Sequence, residues 1–175
     1  HLVLAADDPE GMRTAVILPP MIWGAGMPMI HETIKNVRAG RFSWLGGGKS
    51  LMSTAHVDNI CHAAVLAAER ATGGRAYFVT DGQDRPMREM MGTLLATQGV
   101  DPGDRSAPLG VAWLMATIME AIWRTFRMKG EPPLTRQMLR LVGYDFTMSD
   151  RRAREELGYA PIVTWEEGVE QMRTR

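Results

Sequence analysis

Residues 14–26 read TAVILPPMIWGAG, and the reading of the fold turns on them. Thr14 to Leu18 is a short β-branched and apolar run, the composition of a strand buried on both faces. Pro19 and Pro20 follow at once. Neither has an amide hydrogen, so the strand cannot continue as a central ladder member. Gly24 and Gly26 then allow the backbone to turn sharply. A buried strand that stops abruptly and hands over to a Gly-punctuated loop places that loop at the carboxyl end of a sheet. In open α/β sheets that edge binds ligands. The same pattern also fits an ordinary strand-to-loop exit.

Upstream, residues 1–6 read as a helix tail, and Asp7-Asp8-Pro9-Glu10-Gly11 as a turn. Downstream, the spacing predicts a helix over 27–39, with Ile30, Ile34 and Val37 on one side and Gly40 as its stop. A short apolar run follows at 42–45, and a strand is expected over 51–56. The clearest helix is 57–71. Val57, Ile60, Cys61, Ala64, Val65 and Ala68 form its apolar stripe, and Gly73-Gly74 ends it. Residues 76–80 read as a strand closed by Asp81-Gly82, and 85–97 as a helix.

Past Pro102 the composition shifts to long helices. Residues 109–128 form a mostly apolar one, broken by Pro132-Pro133. Val111, Leu114, Met115, Ile118, Ile122 and Phe126 make one face, expected to pack, and Glu120 can pair with Arg124 on the other side. That face could instead cover an apolar pocket, meet a partner or touch a membrane surface. A short helix is expected over 135–142. Another spans 151–157, with Ser149 or Asp150 as N-cap and Gly158 as stop. Thr164 and Glu167 form a capping box for a last helix through Met172. The division expected is 1–82, strand-bearing with pocket loops, and 83–175, mostly helical.

The chain has 175 residues, with 20 basic and 20 acidic side chains and a formal charge of zero. That balance argues against nucleic acid as a partner. The lone cysteine, Cys61, excludes an internal disulfide and suits a reducing compartment. No secretory signal is visible. A cytoplasmic location follows as the expectation, with membrane association through the apolar helix beside it. The chain starts at His1 inside apparent helix, as a fragment of a longer protein would.

Three apparent motifs fail. Gly48-Lys49-Ser50 resembles the end of a phosphate loop, but Ser43 stands where its first glycine belongs and a strand follows instead of a helix. Gly24 and Gly26 begin a GxGxxG that Met29 breaks. His56, Asp58, Cys61 and His62 cluster, yet Cys61 lies on the apolar stripe and no second ligand group has metal spacing, so no metal is expected. Asp58 reads better as an acid in the first turn of a helix.

PPMIWGAG after a buried strand, STAHVDNICHAA entering a helix, AYFVTDG, and LGYAPIVTWEEGV near the end together resemble the C-terminal half of extended short-chain dehydrogenases. The branch is that of 3β-hydroxysteroid dehydrogenase-like and NAD-dependent epimerase/dehydratase proteins. The resemblance implies an α/β fold: the C-terminal part of a Rossmann-type parallel sheet plus a mostly helical substrate-binding region. It implies NAD or NADP as cofactor of the full-length parent. Backbone groups of Pro19, Pro20, Met21 and Ile22 would meet the nicotinamide end. Met21, Trp23 and His56 would help line the substrate pocket.

The departures matter as much. The family's Gly-rich fingerprint and its Tyr-x-x-x-Lys pair are absent; Asp81, Met148 and Val163 lie four residues beyond Tyr77, Tyr144 and Tyr159. No catalytic residue is therefore assigned, and the chain alone is expected to be inactive. Met52 stands where similar nucleotide-sugar epimerases carry an arginine for the diphosphate. A hydrophobic alcohol or ketone of sterol-like character fits better than a nucleotide sugar. A stand-alone binding or dimerisation module is the reading of a different class.

Overall fold

The computed structural model describes residues 2–130, 132 and 134–173. His1 of the expected helix tail and Pro133 of the expected break lie outside the described residues. In chain order the strands are β1 (Ala15–Leu18), β2 (Met21–Trp23), β3 (Trp44–Leu45), β4 (Leu51–Met52), β5 (Thr54–His56), β6 (Arg75–Phe78), β7 (Arg85–Pro86) and β8 (Ser106–Ala107). The helices are α1 (Leu2–Ala5), α2 (Pro28–Arg38), α3 (Val57–Arg70), α4 (Met87–Ala96), α5 (Leu109–Thr125), α6 (Arg136–Val142), α7 (Arg151–Leu157) and α8 (Trp165–Arg173). The fold is α/β, and its strand pairs are mostly parallel.

Two compact units share the chain, and neither is continuous in sequence. Unit 1 comprises His1–Met27, Ser53–Asp84 and Thr147–Arg175; unit 2 comprises Pro28–Met52 and Arg85–Phe146.

In unit 1, β1 pairs in parallel with β6 from Ala15 opposite Arg75 to Leu18 opposite Phe78. The strand read from the apolar run is there, and it ends at the two prolines. The segment after them is not loop throughout. Met21–Trp23 is a second strand, parallel to β5, with Trp23 opposite His56. The prolines break the ladder without ending extended backbone, so the chain resumes pairing with a new neighbour. The single strand expected over 51–56 is likewise two, β4 and β5, in different units.

Helix α3 forms where expected but faces the other way. Asn59, Ala63, Leu66 and Ala67 are its buried residues, whereas Val57, Cys61, Ala64, Val65 and Ala68 of the expected stripe are exposed. Ala63, Leu66 and Ala67 join Tyr77, Val79 and Leu157 in the core of unit 1. The Thr164–Glu167 capping box is present: Thr164 N donates to Glu167 Oε2 at 2.9 Å and Glu167 N to Thr164 Oγ1 at 3.3 Å. Gly158 closes α7 in the left-handed conformation, φ 68°. Asp150 sits at the N-cap position of α7, but its carboxylate accepts from Thr80 Oγ1 and Arg154 instead of capping. Ser149 Oγ accepts from Arg151 N.

In unit 2, β3 pairs in parallel with β8 and β4 antiparallel with β7. Met90, Met91, Leu94 and Leu95 of α4 are buried. Helix α5 buries only Ala112 and Ala116, against Leu139 of α6. The face expected to pack is open instead. The expected Glu120–Arg124 pair is also replaced: Glu120 accepts from Arg136 N and Nε, both at 2.7 Å. Those bonds cap α6 from outside and hold the Glu120 carboxyl below the ordinary range.

Candidate functional site

In unit 1 the polar groups converge on Asp81, just past β6. Its Oδ2 accepts from Trp23 Nε1 at 2.6 Å and Thr54 Oγ1 at 2.8 Å. Its Oδ1 accepts from His56 N and Asn59 Nδ2, both at 2.8 Å. One carboxylate thus ties together β2, β5 and the start of α3. Asn59, fully buried, extends the network: Nδ2 also donates to Val163 O, and Oδ1 accepts from Ile162 N and Val163 N. A buried amide with all its groups paired fixes the chain before α8. Sequence reading singled out neither residue; the signal was polar residues inside two apolar stretches, HVDNIC and YFVTDG.

Of the residues expected to matter, Trp23 and His56 are brought together. Each is only 1% exposed, and their rings meet edge to face with centroids 4.9 Å apart. Trp23 also packs against Trp165, the ring centroids 4.5 Å apart and the planes tilted by 46°. His56 is the N-cap of α3: its Nδ1 accepts from Asp58 N at 3.3 Å, which leaves the proton of a neutral ring on Nε2. Nε2 is buried with no hydrogen-bond partner among the described residues. His56 lines one wall of an open cavity of about 870 Å³, with Ala25, Asp58, Glu167 and Glu170 around it. Pro19, Pro20 and Met21 are half-buried, and Ile22 points out, 49% exposed. Leu18 and Phe78, paired across the ends of β1 and β6, are exposed too. The carboxyl end of this strand pair therefore presents apolar side chains.

Tyr77 and Tyr159 each commit their hydroxyl to a hydrogen bond within unit 1. Tyr159 donates to Thr80 O at 2.8 Å, and burial, reinforced by the Asp81 and Asp150 carboxylates, pushes its hydroxyl far above the ordinary range. Burial and Glu156 raise Tyr77 as well, and its hydroxyl bonds Glu156 Oε2 at 3.0 Å.

Unit 2 holds a different cavity, of about 140 Å³ and almost wholly apolar. Met29, Phe42, Met87, Met91, Met138 and Val142 are among its lining residues. They come from α2, the turn before β3, α4 and α6. Four methionines around one groove give an adaptable apolar surface. Met52, where a diphosphate-binding arginine was weighed, is 2% exposed and paired with Arg85 across β4 and β7.

A sequence profile of the 3-beta hydroxysteroid dehydrogenase/isomerase family matches residues 1–109. A 4-hydroxy-2-methyl-3-oxo-4-farnesyl-3,4-dihydroquinoline-1-oxide ketoreductase of Stigmatella aurantiaca is 39% identical over 99% of this chain and 52% of its own length. A 2-alkyl-3-oxoalkanoate reductase of Stenotrophomonas maltophilia is 34% identical over 98% of this chain and 53% of its own. Among solved structures, RMD from Pseudomonas aeruginosa complexed with NADPH superposes with a TM-score of 0.62 at 16% identity, over 99% of this chain and 51% of that one. The chain thus spans about half the length of the relatives it matches.

Proposed function

Because the chain belongs to the 3-beta hydroxysteroid dehydrogenase/isomerase family, we propose that it is the substrate-binding part of an NAD(P)-dependent oxidoreductase. The reaction is hydride transfer between the nicotinamide and an apolar hydroxy or keto substrate, sterol-like or long-chain. The observation that carries this reading is the methionine-lined groove of unit 2. A groove with almost no polar lining cannot repay the desolvation of a sugar diphosphate, whereas it suits an alkyl or ring skeleton. The buried Met52 points the same way. By their names, the ketoreductase acts on a farnesyl-bearing 3-oxo compound and the other relative on a 2-alkyl-3-oxoalkanoate.

The residues present fit the nicotinamide end of a cofactor. Leu18 and Ile22 offer apolar surface to a ring face, and the backbone of Pro19 and Pro20, which carries no amide hydrogen, can only accept a bond from a carboxamide. When bound, the cofactor supplies or accepts the hydride. Met21 lies between these prolines and Trp23, whose indole is locked by Asp81. The Asp81 network therefore holds β2, and with it the proline loop, in place.

The test is turnover by the complete gene product. NADH or NADPH oxidation is followed with a long-chain 3-oxo acid, a 3-keto sterol and a nucleotide 4-keto sugar as alternatives. Consumption of an apolar ketone, weakened by Met91→Glu in the groove, is the expected result. Turnover of the nucleotide sugar alone would overturn the substrate reading. Binding of neither cofactor by calorimetry would overturn the enzyme reading in favour of an interaction module.

A further inference from the structure

The apolar groove of unit 2 is small. Its cavity volume is about 140 Å³. A cavity of about 150 Å³ walled by apolar side chains takes one benzene ring, so the groove has room for about six carbons. A fused four-ring skeleton is roughly three times that size. Among the described residues no lining side chain is charged, and Thr33 spends its hydroxyl on Met29 O at 2.9 Å. Whatever seats here is held mainly by the apolar area it buries.

The lining is graded from base to mouth. Trp44 and Met91 are 3% and 5% exposed and close the base, whereas Met29 and Met138, 43% and 49% exposed, stand at the mouth. The base is firm because Trp44 is held from several directions. Its Nε1 donates to Gly103 O at 2.8 Å. Phe42 meets its ring edge to face, centroids 4.9 Å apart. The Arg88 guanidinium lies 5.6 Å from the ring centroid. Met91 is on the buried face of α4. A ligand can therefore lengthen outward, past the two exposed methionines, but not inward.

We infer that the groove seats about six carbons at the end of a flexible alkyl or prenyl chain, and that Trp44 and Met91 set this limit. The rest of the chain leaves at the mouth, where methionine side chains adapt to its path. A rigid fused-ring skeleton is too large to enter and cannot bend to place only one end inside. The inference rests on the reading of this chain as the substrate-binding part of an oxidoreductase, and it narrows the substrate from apolar ketones in general to those that carry a free chain end.

The experiment titrates the complete gene product, by calorimetry, with 3-oxo acids whose saturated tail grows one methylene at a time, and with a 3-keto sterol. Turnover of the same compounds is followed by NADH or NADPH oxidation. Affinity should rise about fourfold per methylene over a window of about six methylenes and then level off. KM should fall in step while kcat stays constant, because contact with a chain end is the same in ground and transition states. Met91→Ala, which clears the base, should lengthen the window by about two methylenes. Val142→Phe, which sends a ring into the groove from a half-buried wall position, should shorten it by about as much. Circular dichroism controls for folding, and the parent series stands without either variant. A rise with no break, a break that neither folded variant moves, or a 3-keto sterol bound more tightly than any chain overturns the inference. Binding with the expected break but no turnover with either cofactor supports the groove's role and overturns the oxidoreductase reading instead. No binding by any member of the series overturns both.

Discussion

Gly168 lies inside α8 and is buried, and a side chain there has nowhere to go. A Cβ built on it would stand 2.5 Å from Trp23 Cη2, 3.0 Å from Trp23 Cζ3 and 3.1 Å from His56 Cδ2. The indole cannot retreat easily: its Nε1 is fixed to Asp81 at 2.6 Å and its ring is backed by Trp165 at 4.5 Å. Gly168→Ala is therefore an overpacking substitution, costing about 1–3 kcal/mol. Alanine's better helix propensity returns about 0.5–1 kcal/mol. At the middle of both ranges the net loss is about 1 kcal/mol, which at about 2–4 °C per kcal/mol for a chain of this size lowers the melting point by about 2–4 °C. Gly92 separates the two effects. It too lies inside a helix, α4, but among the described residues nothing stands within 4 Å of the position its Cβ would take. Gly92→Ala keeps the propensity gain without the clash and should raise stability by about 0.5–1 kcal/mol. Urea and thermal unfolding followed by circular dichroism read both variants. If Gly168→Ala is as stable as the parent, or moves in the same direction as Gly92→Ala, the packing of Trp23 between Asp81 and α8 is not what holds this end of unit 1.

Asp81→Asn keeps the shape of the hub but turns one acceptor oxygen into a donor facing donors. It should destabilise by about 2–3 kcal/mol in urea titration, and a neutral outcome would remove Asp81 from its central place. Glu167 is held below its ordinary value of 4.5, first by the bond from Thr164 N and then by Thr164 Oγ1. A folded pKa below the unfolded one gives stability that is present above pH 4.5 and lost as pH falls through the lower folded value. Carboxyl chemical shifts should place the Glu167 midpoint below 4.5, and Glu167→Gln should flatten the acid limb of the stability curve; a midpoint at or above 4.5 refutes the capping box. Cys61 is exposed on α3, so the native chain should react with a thiol reagent as fast as a small free thiol does. Reaction only after unfolding would restore the buried stripe read from the sequence.

Where the deciding interaction is local, the sequence disclosed it. The run from Ala15 to Leu18 became a strand, Thr164 and Glu167 became a capping box three residues apart, and Gly158 took the left-handed stop. Each of these is set within one turn or one strand. Strand β2 was hidden because three residues after a proline pair carry no period; they are a strand only through β5, whose partner residues lie 33 positions away. Asp81 was hidden for the same reason. Beside Gly82 it reads as turn chemistry, and its donors come from residues 23, 54, 56 and 59.

The two helices whose faces were misread share one cause. Periodicity ranks the faces of a helix by apolarity, but packing also selects for size and for polar partners. In α3 the inner face is built from small Ala63 and Ala67 and from Asn59, a polar residue that lies inside because every one of its groups is paired. In α5 the inner residues are again alanines, which let α6 approach closely, and the large side chains are turned outward. Apolar residues left outside in this way measure what the described fold does not need for its own core. On α3 the remainder is small, with Val57 and Val65 as its exposed large apolar side chains. On α5 it is large and continuous, running from Val111 to Phe126.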